Sequence, residues 1–267
     1  MKIAVLGAKG FLGSYLASSL VHNHHVVPVT RDTLSLESYQ AVDGWLTEVN
    51  PDVIVNCAMS ASGNKVNDIN YSDVQRDYAI FLNFYNNPKT SKYINIGSGA
   101  EFDRRSNIAN CQEQDILYAK PLESYGYTKN IIARSVLNRD NFYTLRLFGC
   151  FDGTELSTRL FSKFFAQKKI EVQDRYFDYI SASDFARVVE YVTINQVSVK
   201  DINCVYPDKM LLSDQLKMFA QYHIPDADIK HSHEINAAYT GNGQVLKNLG
   251  VPLCGLEQGI KDYFKDE

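Results

Sequence analysis

The 267-residue sequence is long enough to bury a full core, as one large domain or one domain with a small annex. Its net charge of −4 comes without a basic block, which argues against a nucleic-acid partner, and no apolar stretch approaches membrane-spanning length. Cys57, Cys111, Cys150, Cys204 and Cys254 are odd in number and lack Cys-x-x-Cys spacing. The expectation is reduced thiols in a cytoplasmic protein, with neither a disulfide frame nor a zinc site.

The chain opens on an apolar strand, Lys2–Leu6, at a place where a signal peptide would show a longer apolar run. The turn that follows, Gly7-Ala8-Lys9-Gly10-Phe11-Leu12-Gly13, leads into a helix over Leu12–Val21. A strand delivering glycines to a helix N-terminus suits a dinucleotide pyrophosphate: Gly7 and Gly10 permit the tight turn and close approach, and Gly13 permits close helix packing. His22, His24 and His25 follow without a nearby carboxylate and read as a solvated turn, so no metal is expected.

Further β-branched runs at His25–Thr30, Asp52–Ala58, Lys92–Ile96 and Phe142–Phe148 alternate with helical stretches at Tyr39–Val49, Val74–Tyr85 and Ser124–Leu137. That rhythm specifies an α/β fold with a doubly wound parallel sheet. Asp152–Arg175 reads as a loop-rich excursion carrying one helix. Ser181-Ala182-Ser183-Asp184 has capping-box spacing before a helix Phe185–Ile194, and a strand near Ile202–Tyr206 rejoins the sheet. The expected domains are residues 1–151, completed by about 180–206, for the cofactor, and residues 152–179 with 207–267 for a small substrate-binding lobe.

Within Ser124-Tyr125-Gly126-Tyr127-Thr128-Lys129, Tyr125 and Lys129 share one face of a helix. An ammonium beside a phenol favours phenolate, so the pair can exchange a proton with a substrate oxygen near neutral pH. A solvated helix face is the plain alternative in a chain with 17 tyrosines. Position favours chemistry, because the pair opens the helix after a strand ending in Ile96-Gly97-Ser98. The Ser98 hydroxyl can bond the same oxygen. At the end of the second strand, Arg31 stands where an acidic residue would pair with an unphosphorylated ribose, so NADPH is expected in preference to NADH, with Lys9 adding positive charge. The alternative leaves Arg31 solvated and gives the ribose to Asp32.

Together these residues resemble the extended branch of the short-chain dehydrogenase/reductase superfamily, the NAD-dependent epimerase/dehydratase family, over essentially the whole chain. The resemblance implies a Rossmann sheet, catalytic Ser98, Tyr125 and Lys129, and a cofactor site including Gly7, Lys9, Gly10, Phe11, Leu12, Gly13, Arg31, Cys57, Ala58, Tyr125 and Lys129. Ser98, Tyr125 and Arg175 become the expected substrate contacts. Thr30–Leu36 followed by Pro51-Asp52 is similar to the NADPH-dependent reductases of 4-keto-6-deoxy sugar nucleotides, the group of GDP-fucose synthase and dTDP-4-dehydrorhamnose reductase. Ser35 and Asp103 depart from the usual aspartate and glycine.

The resemblance implies reduction of a nucleotide-sugar ketone with Tyr125 as general acid and NADP(H) preferred, NAD(H) being possible. Epimerisation would need a further acid and base, but Ala100 carries no proton to exchange and Cys150–Glu155 holds no histidine. A NAD-dependent epimerase or dehydratase, and a non-catalytic NADP-binding regulatory protein, stand as alternatives. Tyr78, Phe81, Leu82 and Tyr85 share one helix face while Ile80 and Phe84 lie on another, so a homodimer through Val74–Tyr85 and Ser124–Leu137 is expected.

Overall fold

The chain alternates strand and helix from its first residues. The computed structural model describes residues 1–59 and 69–265. Its first half runs β1 (Lys2–Leu6), α1 (Phe11–Leu20), β2 (His25–Val29), α2 (Tyr39–Val49), β3 (Val53–Asn56), α3 (Tyr71–Tyr85), β4 (Lys92–Ser98), a 3-10 turn (Gly99–Phe102) and β5 (Ile108–Cys111). There follow α4 (Ser124–Val136), β6 (Phe142–Leu147), β7 (Cys150–Phe151), α5 (Leu160–Gln167), β8 (Lys169–Val172), β9 (Ile180–Ser181), α6 (Ala182–Ile194) and β10 (Asp201–Asn203). The chain closes with α7 (Leu212–His223), β11 (Asp228–His231), β12 (Tyr239–Gly241), α8 (Gln244–Leu249) and α9 (Leu256–Lys261).

Six strands form one sheet in the order β10-β6-β4-β3-β1-β2. β1 pairs in parallel with β2 and β3, and β3 with β4. The order runs outward from β1 in both directions, which is the doubly wound pattern the alternation predicts, and it gathers the C-terminal strand ends at one edge. β1 and β3 are buried almost throughout, as strands covered on both faces must be.

Two compact units emerge: residues 1–104, 114–146 and 189–202 form the first, and residues 105–113, 147–188 and 203–267 the second. Aliphatic residues and the rings of Phe81, Phe84, Tyr93 and Phe142 make the core of the first unit. The second has an aromatic core around Phe151, Phe161, Phe164, Phe219 and Tyr263. In α3, residues of both apolar faces touch the core of the first unit, some of them only partly buried. Phe81 and Phe84 are fully buried, and Tyr78, Leu82 and Tyr85 lie against the same cluster. Tyr78 reaches α4 through a 3.1 Å hydrogen bond with Ser135, and the Arg139 guanidinium covers Tyr85.

At α6 the helix starts three residues before the expected Phe185, because Ser181 caps it: its Oγ accepts the Asp184 N–H at 3.2 Å. The reciprocal half of the box is not made. Asp184 instead accepts from the Cys254 and Gly255 amides and the Tyr206 hydroxyl, which fastens the C-terminal segment of the second unit.

Candidate active site

The glycine loop divides its labour. Gly7 has φ +77°, and a Cβ there would come within 2.8 Å of the Ala58 nitrogen, so the loop lies directly against the chain leaving β3 at Cys57 and Ala58. A Cβ at Gly13 would meet the Gly7 carbonyl at 2.2 Å, so that glycine lets α1 pack on the loop. Gly10 is different. Its Cβ would meet only the Gly7 oxygen, at an ordinary 3.4 Å, and its φ of −82° suits any residue. The fold does not require a glycine there.

What Gly10 leaves open is the approach to the start of α1. It is the N-cap and provides no side-chain cap, and Phe11, Leu12 and Gly13 supply the first helical amides. An uncapped helix start beside a space that a Cβ would fill fits a pyrophosphate. At the neighbouring edge, Lys9 and Asp32 form an exposed ion pair, and that hydrogen bond holds the Asp32 carboxyl below its usual range. Arg31, just past β2, is exposed and makes no ion pair among the described residues.

Ser98, Tyr125 and Lys129 all belong to the first unit. Ser98 ends β4 and caps the 3-10 turn, its Oγ accepting the Ala100 N–H at 3.2 Å. With Oγ as acceptor, the hydroxyl proton is left for another partner. Tyr125 and Lys129 lie one turn apart on α4. Lys129 is buried, donates to the Ile96 carbonyl on β4, and stands 6.0 Å from the Tyr125 ring centroid. A Cβ on Gly126 would fall 2.5 Å from the Ala100 carbonyl, so the first turn of α4 is pressed against the turn that Ser98 caps. Beside them burial pushes the Cys57 thiol up to about 12, against the pull of Lys129.

Several residues that set this arrangement escaped the sequence reading. Glu123, immediately before α4, is buried and gripped through both oxygens by Arg104 from beyond the 3-10 turn. Glu101 Oε1 accepts the Ser98 N–H at 2.8 Å, completing a reciprocal capping box. Its Oε2 accepts from Arg146 Nε at 2.6 Å, and Arg146 also donates to Asp201 Oδ2 at 2.6 Å. Burial opposes the Arg146 charge, and the Asp201 and Glu101 carboxylates more than reverse this, raising its pKa above the ordinary value. The Ser-x-x-Glu spacing at Ser98-Gly99-Ala100-Glu101 is the signal that could have found Glu101.

Arg175 belongs to the second unit, between β8 and β9, and makes no ion pair among the described residues. Nearby in that unit, burial raises the Asp178 carboxyl to about 6 although it accepts from Lys209 Nζ at 2.7 Å and from the Gly241 amide. Among the described residues no group of three His, Cys, Asp or Glu side chains could hold a metal, and no helix is long and apolar enough to cross a membrane.

Comparison with known proteins agrees with this architecture. A dTDP-4-dehydrorhamnose reductase from Clostridium acetobutylicum superposes with a TM-score of 0.79 at 18% identity, covering 99% of each chain. A GDP-mannoheptose C4 reductase from Campylobacter jejuni, with NADP bound, gives 0.77 at 19% identity, covering 99% of this chain and 97% of the other. A dTDP-4-dehydrorhamnose reductase from Bacillus anthracis in complex with NADP gives 0.78 at 15% identity, covering 100% and 98%. At such identities the likeness is one of fold, and no curated protein matches the chain at a significant level. The sequence profile of the NAD dependent epimerase/dehydratase family matches residues 3–204, and the chain belongs to that family.

Proposed function

We propose that this chain is an NADPH-dependent reductase of the ketone of a nucleotide-linked 4-keto-6-deoxy sugar, with Tyr125 as general acid. The observation that carries the reading is that Lys129 of α4 bonds the Ile96 carbonyl of the strand ending in Ser98 and faces the Tyr125 ring, while Gly126 lies against the turn that Ser98 caps. The Ser98 hydroxyl donates to the ketone oxygen and steadies the negative charge that grows on it. Tyr125 gives that oxygen a proton and recovers one from solvent. Lys129 would hold the nicotinamide ribose, and Gly7, Gly10 and the α1 amides the pyrophosphate. A bound reduced nicotinamide supplies the hydride.

Arg31, exposed and without an ion pair among the described residues, would take the ribose 2′-phosphate, while Asp32 is engaged by Lys9. The fold neighbours solved with NADP support that preference. Arg175 would contact the substrate. Against epimerisation, Ala100 has no titratable proton and burial drives the Cys150 thiol well above its ordinary value. The protein would work in the cytoplasm, as a homodimer by the resemblance, which light scattering at micromolar concentration reads directly.

Tyr125→Phe keeps the ring and loses the proton. It should lower kcat on the order of a hundredfold for dTDP- or GDP-linked 4-keto-6-deoxyhexoses while NADPH affinity stays within about twofold. Activity within a factor of a few of wild type would remove Tyr125 from the mechanism. Enzyme-dependent deuterium uptake at the carbons flanking the ketone, above the spontaneous background, would return the epimerase reading to first place.

A further inference from the structure

Ser98 is the residue whose surroundings are most heavily built. Its amide, its hydroxyl and the strand beneath it are each fixed by a different group. Glu101 Oε1 takes the amide at 2.8 Å while Ser98 Oγ takes the Ala100 amide, so backbone and side chain are locked reciprocally. A capping box needs only a glutamine or an exposed glutamate. Here the glutamate is fully buried, and its second oxygen is bonded to a guanidinium that is itself fully buried.

Three further features keep the carboxylate where it is. Arg146 approaches from β6, is bridged to Asp201 on β10, and lies 4.8 Å from the centroid of the Phe102 ring, inside the turn that Ser98 caps. Gly97 makes the room, because a Cβ there would stand 2.7 Å from Glu101 Oε1. Burying two carboxylates and a guanidinium carries a desolvation cost that an apolar core would avoid, so the arrangement adds little net stability. It does fix the position of one carboxylate oxygen against one amide.

We infer that Glu101 is a positioning residue for Ser98: clamped by Arg146 and seated over Gly97, it holds the Ser98 amide so that the hydroxyl is aimed at the substrate oxygen. The inference rests on the proposed reductase reading and adds a residue that touches neither substrate nor cofactor. Asp201 sits on the far side of Arg146, balances its charge, and makes no bond to Ser98 among those described.

The test compares Glu101→Gln with Asp201→Asn. Each removes one carboxylate charge from Arg146, so a merely structural role predicts matched effects. Positioning predicts a split. In Glu101→Gln a single amide oxygen must serve both the Ser98 N–H and Arg146, so hydrogen exchange at the Ser98 amide should quicken roughly tenfold. In Asp201→Asn it should stay within about twofold of wild type. With dTDP- and GDP-linked 4-keto-6-deoxyhexoses as probes, kcat should fall roughly tenfold in Glu101→Gln, with KM and the NADPH Kd within about twofold. Glu101→Gln combined with Ser98→Ala should be no worse than Ser98→Ala alone, because both act through one hydroxyl. Matched effects of the two charge removals, or additive losses in the double variant, overturn the inference. The exchange measurement needs no substrate and decides the Glu101–Ser98 linkage by itself. A wild-type protein that reduces none of the probes would overturn the functional reading alone.

Discussion

One buried glutamate in each unit shows how differently their charges are handled. Glu101, in the first, meets a guanidinium and an amide, so its charge is matched in place. Glu155, in the second, is met by neutral donors at one oxygen: the Ser162 amide at 3.1 Å and the Tyr263 hydroxyl at 2.9 Å. Burial pushes its carboxyl up to about 7, and those two bonds with the more distant Arg159 only partly oppose it. A glutamate with a cation against it is a fixed strut, whereas one with neutral donors is a group that titrates near neutrality. The strut lies beneath the proposed catalytic serine; the titrating group lies in an aromatic core.

Removing the cation is the harshest way to break this contrast. Arg146→Met removes the guanidinium that bridges the buried Glu101 and Asp201 and should cost about 3–5 kcal/mol of stability, read as a lowered urea midpoint. A loss under about 1 kcal/mol would mean that water or rearranged donors replace the guanidinium, and Glu101 would no longer count as a strut.

Glu155→Gln sharpens the contrast from the other side. Between the ordinary glutamate range and about pH 7, the native protein keeps a proton on Glu155 that the unfolded chain has released. Raising pH through that window therefore lowers wild-type stability, and the full penalty is present above it. The full penalty is on the order of 3 kcal/mol. Glutamine can still accept from Ser162 and Tyr263 and carries no charge to bury, so the variant should lose this fall and melt higher than wild type at pH 8. Asp178, raised to about 6 by burial, has the same sign and leaves a smaller fall at lower pH in both proteins. Parallel melting profiles from pH 5 to pH 8 would refute the assignment to Glu155.

The same contrast marks what the sequence made legible. β1, β3, β4 and β6 stand out because strands buried on both faces must be continuous apolar runs, β2 by its β-branched residues although it lies at the sheet edge, and the glycine turn because it joins such a strand to a helix. The boundary of α6 slipped by three residues because Ser181 is itself the cap, so the helix begins at Ala182, inside the segment read as preceding it. β8, β11 and β12 are short and partly exposed, so no hydrophobic period identifies them. Partners far apart in sequence are the hardest to see. Arg146 lies 45 positions from Glu101 and 55 from Asp201, and only the sheet order brings them together. Amphipathic period on α3 showed which residues share a face; of the face expected to meet a partner, Phe81 is buried, while Tyr78, Leu82 and Tyr85 lie partly buried against the chain's own core.

The gentlest perturbation tests where structural need ends and ligand need begins. Gly13→Ala would drive a Cβ to 2.2 Å from the Gly7 carbonyl, so backbone must move and the fold should weaken. Gly10→Ala meets nothing closer than 3.4 Å at a negative φ, and its cost to folding should be within about 1 kcal/mol, the usual gap between glycine and alanine at an N-cap. If Gly10 is kept bare for a pyrophosphate, that methyl group should still weaken NADPH binding, roughly tenfold by fluorescence titration, because it occupies the space the phosphates need beside the α1 amides. The two readouts must part for the reading to stand. Unchanged NADPH affinity in a stable Gly10→Ala protein would mean that the opening at the head of α1 is only a turn and that the pyrophosphate lies elsewhere.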